Sequence, residues 1–216
     1  MKILVCISSV PDTTSKINFT ADKSAFDKTG IQWVINPWDE FALTKAVKLQ
    51  ETQGATVTVI NVGDATTEPV IRKSLAIGAN DAIRVNVEPK DSYSVAIEIA
   101  NVAQNGGYDL ILCGRESIDY NGGSVPGMVA QLLNQPFVNA CVGLEVNGAD
   151  ANAVREIEGG KETISVKLPA VIAGQKGMVD EKDLIIPNMR GIMTARSKPL
   201  QVVEPTSSEV KVEGVS

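Results

Sequence analysis

Histidine is missing from this 216-residue chain. Its absence removes the commonest general base, the commonest zinc ligand and every Ser–His or Cys–His nucleophile pair. Chemistry in such a protein falls to a bound cofactor or a partner rather than to its own side chains. Cysteine is scarce: Cys6, Cys113 and Cys141 stand in apolar surroundings without metal-site spacing and read as buried reduced thiols. No apolar run approaches the roughly 20 residues of a bilayer-spanning helix. The start, MKILVCISSV, has one Lys and a short β-like run without a small-residue cleavage site. The expectation is a cytoplasmic protein with no direct membrane insertion. Dense basic clusters are also missing and the formal charge is -6, which disfavours a nucleic-acid partner. No GxxxxGK[ST] occurs, excluding a P-loop, and the lack of GxGxxG disfavours the ordinary dinucleotide fingerprint. Nothing repeats internally.

What remains is an ordinary globular composition, 44% hydrophobic and 21% charged, on a chain long enough to bury a full core. Ile3 to Ile7 form a short β-branched run, the mark of a buried strand. A polar stretch from Pro11 to about Gly30 reads as a loop or small hairpin. In INPWDEFALTKAVKLQ, Asn36 suits a helix cap and Pro37 the first helical position, while Asp39 and Glu40 favour the positive end of the dipole. ATVTVINVG reads as a second strand, and Thr67 to Gly78 as a helix ended by glycine. Ala82 to Val87 is a third strand, Ser92 to Gln104 a helix, and Tyr108 to Cys113 a fourth strand. Val125, Met128, Val129 and Leu132 then recur at helical spacing.

Alternating strands and helices predict an α/β fold, a doubly wound, mostly parallel sheet with helices on both faces. From about residue 137 the pattern changes to β-rich: FVNACVGLEV, ANAVREIE and KETISVKLPAVIAG read as strands. Glu158-Gly159-Gly160-Lys161 is a hairpin turn whose glycines are expected to supply positive φ. Residues 1–196 are expected to form the domain. Residues 197–216, with Pro199 and Pro205, are expected to form an arm without a packed element.

In a doubly wound sheet, ligands bind at the carboxyl ends of strands, where strand order reverses. Three segments become candidates together: the end of the first strand with Asn36 to Asp39, the segment after Val62, and the loop GRESIDYNGGSV. In that loop Gly122, Gly123 and Ser124 precede a helix, so backbone amides are free to meet an anion. Asp119, Asn121 and Gly122 are equally ordinary turn formers. Asn36 or Asp39 could bind a base beside the flat surface of Trp38, or the segment could be a helix start with a core Trp. Arg115 and Glu116 read as a solvated pair, and Cys6 as core.

Residues 154 to 174, VREIEGGKETISVKLPAVIAG, closely resemble the signature of the electron transfer flavoprotein β subunit. ILVCISSVPDT, INPWDEFAL, LAIGANDAIRV and GRESID resemble the same family, so the resemblance covers about residues 1 to 204. It implies a Rossmann-like, adenine-nucleotide-binding fold. It also implies a heterodimer in which an α subunit holds most of the FAD and the β subunit binds AMP structurally. Electrons would pass from acyl-CoA and other flavin dehydrogenases to a membrane quinone reductase, and this chain would be a carrier subunit with no catalytic residue. The implied AMP contacts are Cys6, Asn36, Pro37, Trp38, Asp39, Val62, Gly114, Arg115, Glu116, Ser117, Ile118, Asp119, Tyr120, Asn121, Gly122, Gly123, Ser124 and Val125. The chain departs from the family's usual Ile-Asp-Gly-Asp-Thr-Gly-Gln-Val-Gly, with Asn121 and Ser124 replacing an acidic residue and an amide.

The loop from Gly174 to Asp183 corresponds to the family's dehydrogenase-recognition loop, with Met178 in the place of an exposed apolar anchor. The alternative is a Met that folds back on the protein. PNMRGIMTARSKPL resembles a contact for the α subunit. Within the family, the rival reading is an electron-bifurcating, FixA-like β subunit that binds a second FAD in place of AMP and oxidises NADH. A more distant rival, a nucleotide-hydrolysing or ATP-sensing member of the same general fold, lacks its usual glycine loops here.

Overall fold

The computed structural model describes residues 1–206. Its nine-stranded sheet combines β1 (Lys2–Cys6), β4 (Thr56–Val62), β5 (Asp81–Val85), β6 (Leu110–Gly114), β7 (Phe137–Asn147), β8 (Asp150–Ile157), β9 (Gly160–Lys167), β10 (Ala170–Gly174) and β11 (Leu200–Val203). The spatial order is β11-β5-β4-β1-β6-β10-β7-β8-β9. Pairing is parallel from β11 through β7 and antiparallel between β7, β8 and β9. A separate antiparallel pair joins β2 (Ser9–Pro11) to β3 (Trp33–Ile35) and carries the polar stretch between them as an excursion.

The parallel strands are apolar throughout because both faces are covered. Side chains alternate across the strand, so Ile3 and Val5 join one core while Leu4 and Cys6 join the other. On the first face lie α1 (Pro37–Gln53) and α2 (Glu68–Ile77), with Leu43, Val47, Ile71 and Leu75 buried. On the second lie α3 (Ser92–Gly106) and α4 (Val125–Leu133), with Ile99, Ala103, Val129 and Ala130 buried. Asp91 opens α3 with a capping box to Ser94, which satisfies amides the first turn would otherwise leave unpaired. No helix of the described residues is long and apolar enough to cross a membrane.

Strand order reverses at β1. The chain winds outward through β4 and β5, then returns to place β6 on the opposite side of β1. The connections leaving their carboxyl ends run to opposite faces of the sheet, toward α1 and α4, and this is where such sheets form a ligand crevice.

Three expectations are revised. Leu200–Val203 is no loose arm: it pairs in parallel with β5, from Leu200 opposite Ala82 to Val203 opposite Val85. An uncovered β5 would present unpaired backbone groups, and this short strand covers them. Thr206 then donates from its N and Oγ1 to Glu98 at 2.9 and 3.1 Å. Residues 207–216 of the expected arm lie outside the described residues. In the β8–β9 hairpin only Gly159 has positive φ, at 84°; Gly160 opposes Ile157 as the first pair of β9. The expected run KETISVKLPAVIAG also divides at Pro169, its first half forming the far edge of the sheet and its second half inserting between β6 and β7.

Candidate functional site

The start of α1 abuts the ends of β1 and β6. Asp39, 4% exposed, accepts a hydrogen bond from the Ser8 amide on Oδ2 at 2.7 Å and from the Gly114 amide on Oδ1 at 2.9 Å. Ser8 follows β1 and Gly114 ends β6, so one carboxylate joins both lips of the crevice. Glycine is required at 114 for this approach: a Cβ there would lie 2.3 Å from Asp39 Oδ1 and 2.8 Å from the Asp39 amide nitrogen. Burial pushes the Asp39 carboxyl up to about 7, against the opposing effect of the hydrogen bonds it accepts from Ser8, Asn36 and Gly114.

Asn36 makes a parallel connection one turn earlier. It is 1% exposed, its Nδ2 donates to the Glu116 carbonyl at 2.8 Å, and its Oδ1 accepts from the Ile118 amide at 3.3 Å. The loop after β6 therefore hangs from α1. The Ser117 amide donates to the Gly122 carbonyl at 2.9 Å, closing a tight turn over Ile118 to Asn121 in which Asn121 has φ of 51°. Ser117 Oγ bonds Asp119, the Tyr120 amide donates to Asp119 Oδ1 at 2.9 Å, and Tyr120 projects into solvent, 89% exposed.

Gly122 faces open space, with no atom within 4 Å of where a Cβ would stand. Gly123 lies closer to the protein, its Cβ position 3.2 Å from the Arg115 carbonyl. Ser124 makes no side-chain cap on α4, and Val125 begins that helix half-buried against the second core. Among the described residues no internal acceptor engages the amides of Gly123, Ser124 or Val125. This segment offers unengaged donors backed by a helix dipole, the arrangement that accepts a phosphate.

Other candidates sit around the same end of the sheet. Cys6 is buried at the end of β1 on the α3–α4 side, in the same core as Cys113 of β6. The neighbouring Cys6 and burial hold the Cys113 thiol well above the ordinary thiol range. Val62 ends β4 half-buried on the same side. Pro37 is exposed at the first position of α1, whereas Trp38 is half-buried with its ring 6.4 Å from that of Phe41. Trp38 and Arg115 line a cleft of about 420 Å³ together with Val142, Glu156, Lys161 and Gln175.

Several partners in the site carry no local sequence signal. Ser8 contributes only its backbone amide, which any residue could supply. Gln175 accepts from Arg115 Nη1 at 2.8 Å and donates to Glu156, a connection between distant segments that no local pattern signals. Arg115 also pairs with Glu116 at 3.4 Å.

Met178 is corrected as an exposed anchor. It is 4% exposed, and its Cε and Sδ lie 2.5 and 2.6 Å from where a Gly174 Cβ would stand. A tight turn, closed by the Met178 amide on the Gln175 carbonyl at 3.0 Å with Gly177 at φ 104°, sends the side chain inward. Exposed apolar side chains occur further on: Ile186 at 85%, then Met189 and Met193 of α5 (Met189–Ala195) at 74% and 69%.

Comparison with known proteins places this geometry in context. Residues 24–208 match the family model of the electron transfer flavoprotein domain. The chain is 35% identical over 208 residues to electron transfer flavoprotein subunit beta of Bacillus subtilis (strain 168), covering 94% of the chain and 79% of that protein. It is 34% identical to the protein of the same name from Syntrophomonas wolfei, across 99% of the chain and 83% of that protein. For the Homo sapiens subunit beta the identity is 30%, across 95% and 82% respectively.

Proposed function

Since the chain belongs to the electron transfer flavoprotein β subunit family, we propose that it pairs with an α subunit, binds AMP in its own crevice and helps hold the FAD carried mainly by that partner. The observation that carries this reading is the meeting of three separate segments at the reversal point of the sheet. Asn36 to Asp39, the end of β4 and the loop Gly114 to Val125 all adjoin the carboxyl ends of β1 and β6.

The residues fit a mononucleotide. Gly122 leaves room for close approach, and the amides of Gly123 to Val125 donate to the phosphate without displacing an internal bond. FAD, when bound in the heterodimer, supplies the redox chemistry. This chain orients and shields; with no histidine, it offers no ordinary acid–base pair of its own. Electrons enter from acyl-CoA and other flavin dehydrogenases and leave for a membrane quinone reductase. The dehydrogenase contact is assigned to the exposed Ile186 in place of the buried Met178, and the exposed Met189 and Met193 to the α-subunit contact.

Quantifying the nucleotides released from the co-purified heterodimer tests the proposal. One FAD and one AMP per dimer is the expected result. Two FAD without AMP would overturn the AMP assignment in favour of the bifurcating form, in which NADH reduces the second flavin.

A further inference from the structure

The sequence makes Asp39 look like a ligand contact, yet its carboxylate already serves two amides of the protein. Oδ2 takes the Ser8 amide at 2.7 Å and Oδ1 the Gly114 amide at 2.9 Å. Those amides belong to the segment just after β1 and to the last residue of β6, and the side chain is buried in the first turn of α1. We infer that the Asp39 carboxylate does not touch the nucleotide and that Asp39 is instead a positioning residue, whose ionised carboxylate fixes the segment after β1 against the end of β6 and so sets nucleotide affinity.

This inference rests on the nucleotide reading of the crevice. Only the ionised carboxylate presents two full acceptors to two donors. On protonation one oxygen becomes a hydroxyl and its bond to the facing amide weakens. The affinity advantage conferred by Asp39 therefore declines as pH falls through about 7, where burial has raised the group.

Neighbouring charges do not take over this role. The Cys113 thiol on β6, raised by Cys6 and by burial, stays neutral across the same range. Glu40 on α1 is paired with Lys73 at 2.9 Å, and Arg115 with Glu116 at 3.4 Å on the loop after β6.

The test compares the full chain with Asp39→Asn, using AMP as the probe from pH 5.5 to 8.5. The ligand's own phosphate titration is common to both proteins, so the ratio of dissociation constants isolates Asp39. Loss of a hydrogen bond to a charged group predicts binding weaker by about ten-fold or more above pH 7 in Asp39→Asn, with the ratio shrinking toward pH 5.5. Equal affinities, or a ratio independent of pH, would overturn the proposal. Amide resonances of Ser8 and Gly114 in the unsubstituted chain give a second readout that does not depend on the variant folding. Both should titrate with one midpoint near 7 and keep that coupling when AMP is added. Independent titration of the two, or an Asp39 carboxyl resonance showing direct contact with AMP, would also overturn it. If the unsubstituted chain and its heterodimer both fail to bind AMP while the two amides still titrate together, the nucleotide reading has failed and the staple is a feature of the fold alone.

Discussion

At Asp39 a single carboxyl joins two strand ends, and its environment has consequences for stability. Burial raises its pKa from the ordinary 3.8 to about 7, so between those two pH values the folded state holds a proton that the unfolded chain has released. The contribution of Asp39 to stability is full below pH 3.8 and is lost as pH rises through about 7. At about 1.4 kcal/mol per pH unit, the loss is on the order of 4 kcal/mol. Urea denaturation at pH 4 and pH 8 should show the stability advantage of the unsubstituted chain over Asp39→Asn shrinking by about that amount; parallel curves would contradict it. Gly114→Ala tests the same junction sterically. The added methyl would meet Asp39 Oδ1 at 2.3 Å and backbone at 2.8 Å, predicting a loss of about 1–3 kcal/mol from overpacking. An unchanged denaturation midpoint would show that α1 has room to move.

Among elements, α5 and β11 depend on a residue of α2. Arg72 Nη1 donates to the carbonyls of Ala195 and Lys198 at 3.0 and 2.9 Å, and the guanidinium pairs with Glu68 at 3.3 Å. One arginine thus holds the end of α5 and the entry to β11. Replacement by Met keeps much of the aliphatic stem and removes the donors. It should speed amide exchange across residues 189–203 while leaving β1, β4 and β6 protected. Exchange unchanged in that segment would mean that packing against α2 suffices. The apolar pattern of α1 and the two strands around it was readable from the sequence because burial repeats at helical and strand periods. β11 was not, since Leu-Gln-Val-Val is a short run between prolines and becomes a strand only because β5 offers an open edge.

For the molecule as a whole, the proposed function gives the crevice and the exposed apolar segment separable tasks. Ile186→Ser should slow electron uptake from a flavin dehydrogenase several-fold without changing the nucleotide content of the purified heterodimer, because Ile186 is 85% exposed and remote in the chain from the crevice residues. Loss of nucleotide together with uptake would tie the two regions together. Local sequence by itself determined the alternation of strands and helices, the absence of histidine chemistry, the glycine-containing loop ahead of α4 and the family signature in the β8–β9 hairpin. These depend on periodicity, turn chemistry and composition within short stretches. Tertiary structure alone decided that Met178 turns inward, that Gln175 links Arg115 to Glu156, and that Asn36 and Asp39 spend their polar atoms on the protein. Each of these depends on which distant backbone groups the sheet brings within about 3 Å, a distance that the order of strands sets.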